Sequence, residues 1–226
     1  MDNGWNSSAE AWLRLIGEEG DFSCKHVLDA PMLARVRASG AQTVLDVGCG
    51  EGRFCRMMAD LGLKVTGIDP TDALLQVARA KGGASYVKGR AEALPFEGAA
   101  FDLVVFYLTL IDIEALEQTV HEAARVLRPG GRILVGNLNA WITASQTKCD
   151  GWTRDEDGAA SMMIDRYLET YPVRVRWAGM DIVNWHRPLS RYVQVFLQAG
   201  LQLVHFDEPR SHDAPERPYD LSLIHI

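Results

Sequence analysis

A glycine-rich run follows an apolar, β-branched segment in the first quarter of the chain. The run reads Asp46-Val47-Gly48-Cys49-Gly50-Glu51-Gly52, and Thr43–Val47 has the pattern of a buried strand. Glycines allow a tight turn from strand to helix and let backbone N–H groups approach a ligand. A carboxylate or phosphate at such a turn also meets the positive end of a helix dipole. The run predicts an anion-binding loop, and a tight structural turn is the alternative.

A second acidic residue ends the next predicted strand, in Gly67-Ile68-Asp69-Pro70-Thr71. Asp69 lies 21 positions after Gly48. A carboxylate at about this distance accepts hydrogen bonds from ribose hydroxyls in nucleotide-binding sheets. Its alternative role is to cap the helix that starts near Thr71. Together with the glycine-rich run, the spacing favours the ribose role.

The elements that must position these motifs alternate between strand and helix from Gln42 to Asn137. Such short connections imply parallel strands with right-handed crossovers. The pattern predicts a doubly wound, Rossmann-like α/β fold: a mostly parallel, seven-stranded sheet with helices on both faces and a lid insert after strand five. The first five strands are predicted at Thr43–Val47, Leu63–Ile68, Ser85–Lys88, Phe101–Phe106 and Arg132–Val135, with helices at Phe54–Leu61, Thr71–Ala80 and Glu114–Leu127.

The rest of the chain does not continue this regular alternation of strands and helices. After Asn137 we predict a hairpin within Val173–Trp185, a helix at Leu189–Ala199, and strands at Leu201–Phe206 and Tyr219–Ile226. We expect one domain, residues 1–226, with an N-terminal segment (1–39), a cofactor-binding core (40–137), an insert (138–187) and a C-terminal helix and strands (188–226).

All six tryptophans fall outside the predicted core, at Trp5, Trp12, Trp141, Trp152, Trp177 and Trp185. We therefore expect the N-terminal segment and the insert to close over the carboxyl edge of the sheet as a lid. The alternative is that these rings fill a small core of their own.

The composition limits the classes of function. The net charge is −7, from 23 Lys+Arg against 30 Asp+Glu, which disfavours a general nucleic-acid binder. The longest apolar stretch, Leu103–Ile111, is shorter than the about 20 residues of a membrane span. The N-terminus has no secretory pattern, and the four cysteines form no C-x-x-C pair. The sequence predicts a cytoplasmic protein with reduced thiols, no metal, no membrane association and no nucleic-acid partner.

The order of the motifs resembles the class I methyltransferases that use S-adenosylmethionine, and among them the small-molecule type 11 group, related in pattern to quinone-biosynthesis C-methylases. The resemblance covers about residues 40–137 and is carried by Val44–Phe54, Gly67–Thr71, Gly89–Phe96, Phe101–Phe106 and Arg125–Gly131. It implies S-adenosylmethionine as cofactor and methyl transfer to a small-molecule acceptor by in-line displacement.

The resemblance also implies roles in cofactor binding. Asp46 and the backbone of 48–50 would hold the methionyl group, Asp69 the ribose diol, and the Ala91 N–H the adenine. The full set is Asp46, Gly48, Cys49, Gly50, Arg53, Asp69, Pro70, Arg90, Ala91, Glu92, Tyr107 and Leu108.

One position departs from the family. Arg90 stands where an aspartate usually accepts from the adenine amino group, and a guanidinium has no acceptor. Glu92, backbone carbonyls, or stacking of Arg90 on the purine would have to replace that contact.

The acceptor side is less determined. The catalytic candidates are His186, Asp112 and Tyr107, and the substrate-binding candidates are Trp5, Trp12, Tyr167, Trp177, Asn184 and Arg187. We expect His186 to be the general base if one is needed, because imidazole titrates near neutral pH. We expect Arg187 to orient an anionic substrate. The alternatives are a structural histidine, an internal ion pair of Arg187, and a helix cap at Asp112.

Two other functions stay open on this scaffold. One is an NAD(P)-dependent oxidoreductase, which the G-x-G-x-G rhythm and Leu94-Pro95-Phe96 disfavour. The other is a regulator that binds S-adenosylmethionine without turnover, which the presence of Arg90 favours. The sequence does not predict the oligomeric state.

Overall fold

The computed structural model describes residues 3–145, 152–211 and 223–225. Its helices are α1 (Trp5–Ile16), α2 (Asp29–Ser39), α3 (Arg53–Ala59), α4 (Asp72–Lys81), α5 (Leu116–Val126), α6 (Ala140–Ser145) and α7 (Leu189–Gln198). A π-helical turn, Cys24–Leu28, leads into α2, and a 3-10 turn, Leu110–Asp112, follows the fourth strand. The strands are β1 (Thr43–Val47), β2 (Lys64–Asp69), β3 (Ser85–Lys88), β4 (Phe101–Tyr107), β5 (Leu127–Leu138), β6 (Trp152–Arg154), β7 (Ala160–Met162), β8 (Tyr171–Trp177), β9 (Met180–His186) and β10 (Leu223–His225).

The central sheet has the strand order β10-β5-β4-β1-β2-β3. Strands β1 to β5 are parallel, and β10 runs antiparallel to β5. The prediction of a mostly parallel, Rossmann-like sheet is therefore confirmed. The prediction of seven strands is wrong for the described residues, which form six in this sheet.

The missing strand is the one predicted at Leu201–Phe206. These residues form no strand, and Val204 is 79% exposed. An alternating apolar pattern specifies a strand only where a neighbouring edge supplies hydrogen bonds. None of the described strands pairs with this segment.

Helices cover both faces of the sheet because neighbouring strand residues point to opposite sides. Leu45 and Val104 pack on one face, in the hydrophobic cluster that includes residues of α5 and α7. Val44 and Leu103 pack on the other face, with residues of α2 and α3. The two apolar layers fix β1 and β4 side by side at the centre of the sheet.

The strand order reverses between β1 and β4, so their following loops diverge to opposite faces and open a crevice at the carboxyl edge. The two loops also touch. Gly48 has φ of +74°, and a Cβ there would overlap the Thr109 side chain. Only glycine meets both requirements, which explains the first glycine of the run.

The predicted hairpin is present as β8 and β9, and α1 packs against it. The Asp181 N–H donates to Ser8 Oγ (3.0 Å), and the Val183 N–H donates to the Asn3 carbonyl (2.9 Å). A Cβ at Gly4 would overlap the Asp181 carbonyl, so α1 begins in direct backbone contact with β9. Among the described helices, none is long and apolar enough to cross a bilayer.

Candidate functional site

A cavity of about 1460 Å³ opens at the carboxyl edge, beside the point where the strand order reverses. The glycine-rich loop, the end of β2 and the turn after β4 line one side, and α1 and the β8–β9 hairpin line the other. Pockets for single small molecules usually measure about 300–1,000 Å³. The cavity is therefore large enough for two small molecules side by side.

Most of the predicted site residues line this cavity, and three do not. Those that line it are Trp5, Trp12, Asp46, Gly48, Cys49, Gly50, Arg53, Asp69, Pro70, Arg90, Ala91, Glu92, Tyr107, Leu108, Asp112, Trp177 and Asn184. The other three, Tyr167, His186 and Arg187, are not among the residues that line it.

Asp46, at the end of β1, is a buried acid with an unfilled hydrogen-bonding capacity. The residue is 1% exposed, and burial raises its pKa to about 7. The Cys55 thiol donates to Oδ2 (3.1 Å), whereas Oδ1 has no partner. A buried carboxylate oxygen without a donor is costly, so a cationic or hydrogen-bond-donating ligand group would stabilise it.

Asp69, at the end of β2, holds the glycine-rich loop in place. Its Oδ2 accepts from the Gly50 N–H (2.9 Å) and its Oδ1 from the Thr71 N–H (2.8 Å). Thr71 occupies the N-cap position of α4, so Asp69 is not the helix cap considered above. Its second bond holds the Thr71 backbone, and the residue lines the cavity. Burial raises the pKa of the carboxyl.

The backbone N–H groups of 48–50, which we expected to face a ligand, all donate within the protein. The N–H groups of Gly48 and Cys49 both donate to the Ile68 carbonyl, at 2.7 and 3.1 Å. That of Gly50 donates to Asp69. The loop therefore satisfies these donors internally. The absence of a side chain at Gly50 instead leaves open space beside the loop, since a Cβ there would meet only Leu74 within 4 Å.

Arg53 and Tyr107 reach the cavity, but their polar ends are bound to Asp29. Arg53 forms a bidentate pair with Asp29, both distances being 2.8 Å, and the Tyr107 hydroxyl donates to Asp29 Oδ1 (2.8 Å). Burial holds the Tyr107 pKa well above its usual value. This hydroxyl is therefore poorly placed to act as a base.

Sequence reasoning missed Asp29, which organises this cluster. Asp29 is the first residue of α2 and lies two residues before Pro31. An acidic residue followed by a proline is common in the first turn of a helix, so this pattern did not indicate another role. The nearest signal was the presence of Arg53 just after the glycine run, since an arginine in an otherwise apolar segment needs a carboxylate partner when it is buried.

Arg90 is 63% exposed at its side chain and pairs with Glu92, Nη2 to Oε1 at 2.8 Å. The two residues proposed as alternatives for adenine recognition thus engage each other. Both border the cavity.

Asp112 ends the turn after β4 and faces the cavity. It is not a helix cap, since α5 begins only at Leu116. The Asn184 amide donates to its Oδ1 (2.6 Å), and Trp5 also hydrogen-bonds its carboxyl. Burial nevertheless raises its pKa to about 8. An acid with a pKa near neutrality, held by two donors, has the properties of a proton-transfer group.

The structure disfavours His186 as the general base. Its side chain is fully buried, with Nδ1 2.7 Å from Thr143 Oγ1 and Nε2 2.9 Å from the Tyr167 carbonyl. Because a carbonyl can only accept, Nε2 carries the proton. Burial lowers the pKa of the ring. The structural role considered as the alternative is the one observed.

Arg187 does not line the cavity, nor does it pair with an aspartate. Its Nη1 donates to the Leu110 carbonyl (3.2 Å), and its Nη2 donates to the carbonyls of Ile113 (2.5 Å) and Glu114 (2.8 Å). These carbonyls flank Asp112 in the chain. Arg187 therefore fixes the turn that carries this acid.

The remaining predictions concern metals and thiols. Within the described ranges, no group of three or more His, Cys, Asp or Glu could hold a metal ion. Cys24, Cys49 and Cys55 are free thiols, and Cys149 lies outside the described residues.

Three comparisons place this geometry among known proteins. A family model described as a methyltransferase domain, type 11, matches residues 45–135. A malonyl-[acyl-carrier protein] O-methyltransferase of Enterobacter lignolyticus (strain SCF1) is 38% identical over 110 residues, which are 48% of this chain and 44% of the relative. The ubiquinone/menaquinone biosynthesis C-methyltransferase UbiE of Enterobacter sp. (strain 638) is 38% identical over 105 residues, covering 42% and 41% of the two chains.

A solved S-adenosylmethionine-dependent methyltransferase from Mesorhizobium loti matches over a longer range. It superposes with a TM-score of 0.73 at 26% identity, over 87% of this chain and 96% of that one. The chain spans less than half the length of the two curated relatives described above. The matched residues, 45–135, contain the glycine-rich loop, Asp69 and the turn after β4. Residues 45–135 thus match a methyltransferase domain model of the type 11 group, and the fold is similar to that of a solved S-adenosylmethionine-dependent methyltransferase.

Proposed function

We propose that this protein transfers a methyl group from S-adenosylmethionine to a small molecule held in the same cavity. The observation that carries the proposal is the continuity of the cavity. It joins Asp46 and Asp69, the acids of the methyltransferase motifs, to a wall of tryptophans from α1 and the hairpin. A protein that only binds S-adenosylmethionine would not need the second side of the cavity, which the tryptophans line.

The residues on the first side fit the cofactor. The unpartnered Oδ1 of Asp46 suits the ammonium of the methionyl group. Each oxygen of Asp69 accepts one backbone N–H and keeps a lone pair for a ribose hydroxyl. When bound, S-adenosylmethionine supplies a sulfonium-linked methyl group, which leaves the C–S electron pair on sulfur and gives S-adenosylhomocysteine.

In this proposal the chain positions the acceptor, excludes water from it and supplies a group that takes its proton. We propose that α1 and the β8–β9 hairpin act as the lid, within the four segments 1–39, 40–137, 138–187 and 188–226 of one domain. Closing such a site fixes the acceptor and removes water. Asp112 is the proposed proton acceptor, in place of His186, because it faces the cavity. A cytoplasmic location remains a prediction.

The names of the two relatives describe different reactions, O-methylation of a malonyl-[acyl-carrier protein] and C-methylation in ubiquinone/menaquinone biosynthesis. Their shared stretches cover less than half of their own lengths, so neither acceptor transfers to this chain. The acceptor has to be argued from the cavity itself.

Calorimetric titration with S-adenosylhomocysteine tests the first step. We expect saturable binding of one molecule per chain, with NAD⁺ as the control that does not bind. Binding of NAD⁺ and not of S-adenosylhomocysteine would support the oxidoreductase alternative instead. Methyl transfer from isotopically labelled S-adenosylmethionine to a cavity-binding acceptor then separates an enzyme from a regulator.

A further inference from the structure

The second side of the cavity is a wall of indole rings around an acid. We name it the acceptor wall: Trp5 and Trp12 of α1, Asp112 and Glu114 after β4, and Trp177, Asn184 and Trp185 of the hairpin. Trp5 and Trp12 pack edge to face, with ring centroids 5.5 Å apart. Indole faces attract cations more strongly than other side-chain rings, and aromatic cages recognise ammonium groups.

The charged residues around the cavity also favour a cationic ligand. Its acidic residues are Asp21, Asp46, Glu51, Asp69, Glu92, Asp112 and Glu114, against the two cations Arg53 and Arg90. Both arginines are paired, with Asp29 and Glu92 respectively. Arg187, predicted to orient an anionic substrate, donates instead to backbone carbonyls. Two of the acids are also paired, Glu51 with Arg56 and Glu92 with Arg90. An anionic acceptor would find no unpaired cation among these groups, whereas a cationic one meets Asp112 and the indoles.

Asp112 stands where the two sides of the cavity meet. The turn that carries it touches the glycine-rich loop through Thr109, whose hydroxyl lies 3.5 Å from the Gly48 carbonyl. Three residues further on, Asp112 is held by Asn184 and Trp5 of the acceptor wall. A group bound to this carboxylate therefore lies next to the loop that borders the cofactor side.

We propose that the methyl acceptor is a cationic amine on an aromatic or other apolar body, and that the Asp112 carboxylate binds its nitrogen and takes its proton. The inference rests on the proposed methyltransferase function. The protonated nitrogen passes one proton to Asp112, which frees the lone pair that forms the new N–C bond. The methylated nitrogen then carries the positive charge given up by the sulfonium, and the proton leaves Asp112 for solvent.

The test uses three probes that share an indole ring and differ in charge: tryptamine (cation), tryptophol (neutral) and indole-3-acetate (anion). Each is titrated calorimetrically into the protein saturated with S-adenosylhomocysteine at pH 9, where Asp112, with a pKa of about 8, is mostly ionised and a primary ammonium is still charged. We expect tryptamine to bind about 10–100-fold more tightly than tryptophol, the range for a hydrogen bond to a charged group, and indole-3-acetate to bind most weakly.

The variant Asp112→Asn keeps the shape and removes the charge, so the preference for tryptamine should disappear. The matched control is Asp60→Asn, at an exposed site outside the cavity, which should keep the preference. Thermal melting confirms that both variants are folded.

Equal binding of the three probes, preference for the anion, or no binding of tryptamine at millimolar concentration would each overturn the proposal. Failure of S-adenosylhomocysteine itself to bind would instead overturn the proposed function, so the two failures are distinguishable. A preference for tryptamine that survives in Asp112→Asn would assign cation selection to the indoles and remove Asp112 from the proposal.

Discussion

The two sides of the cavity are built in different ways. On the cofactor side, Asp46 and Asp69 end neighbouring strands, and the contacts that hold them, from Cys55 and Gly50, come from within 20 positions along the chain. On the acceptor side, the supporting bonds span 72 residues from Asn184 to Asp112 and 77 from Arg187 to Leu110. The first side is fixed by strand ends and glycines. The second exists only when distant segments have already packed, so its chemistry and the stability of the fold are linked.

The largest expected effect comes from cutting a long-range support. Arg187→Ala leaves three carbonyls near the Asp112 turn without their donor. Because an unsatisfied buried group costs about 1–3 kcal/mol, we expect the free energy of unfolding in urea to fall by about 2–4 kcal/mol. The control, Arg176→Ala, removes an exposed arginine of the same hairpin and should change it by less than about 0.5 kcal/mol. Unchanged stability in Arg187→Ala would return Arg187 to the list of substrate ligands.

The next effect belongs to the cofactor side. Asp69→Ala should weaken S-adenosylhomocysteine binding by about 10–100-fold in calorimetry, because the variant cannot make the proposed hydrogen bonds between a ribose and a charged group. Asp72→Ala, three residues on and exposed, is the control with unchanged affinity. Since Asp69 also accepts from Gly50 and Thr71, the melting temperature is measured in parallel. Equal affinity in a folded Asp69→Ala protein places this residue outside the cofactor site.

A third prediction follows from the proton on Asp112. Its pKa is about 8 in the fold and ordinarily 3.8, so the folded state binds more protons than the unfolded chain between these values. Stability should therefore fall as pH rises from 6.5 to 8, with one such proton contributing up to about 1.4 kcal/mol per pH unit. Asp112→Asn should reduce that slope by about 1 kcal/mol per pH unit in urea denaturation.

The remaining slope in this window has a second source of the same sign, Asp46, with a pKa raised to about 7. His186, whose pKa is lowered, acts in the opposite sense, and its stabilisation is lost only as pH falls below its ordinary value of 6.5. The control is Asp181→Asn at an exposed acid with a pKa of about 2, which is ionised in both states above pH 6.5. An identical slope in wild type and Asp112→Asn would show that Asp112 is ionised in the fold.

The smallest effect is expected at Arg90. Arg90→Asp restores the acceptor that the family places opposite the adenine amino group. Because the position is largely exposed, we expect S-adenosylhomocysteine to bind about threefold more tightly, the lower end for one hydrogen bond. Arg90→Ala separates this gain from loss of the arginine. A severe loss of affinity in both variants would show that Arg90 contacts the purine itself, as stacking predicts.

The difference between the two sides of the cavity explains which parts of the site could be predicted from the sequence. Glycine positions and strand-end acids obey local rules of backbone geometry, so the loop at 46–52 and Asp69 were found at the cavity. Even there, side-chain and N–H directions were not predictable, since the 48–50 donors turn inward to Ile68 and Asp69.

The hairpin shows where such reasoning ends. Its position was predicted, and in β9 alternate residues point inward. The pattern of types alone could not show that Asn184 faces the cavity, that His186 faces α6 and that Arg187 reaches the β4 turn. Those directions depend on the pairing register and on partners about 40 to 80 residues away.

The bonds from Asn184 and Arg187 to the turn after β4 also make one cooperative unit of two segments. The hairpin cannot move away from the sheet without releasing the carbonyls at 110, 113 and 114 and the carboxyl of Asp112 together. Local opening in proteins follows such units. The backbone amides of β9 and of residues 110–116 should therefore exchange their hydrogens with solvent at one shared opening free energy, and the acid and the wall that surrounds it would become ordered in the same event.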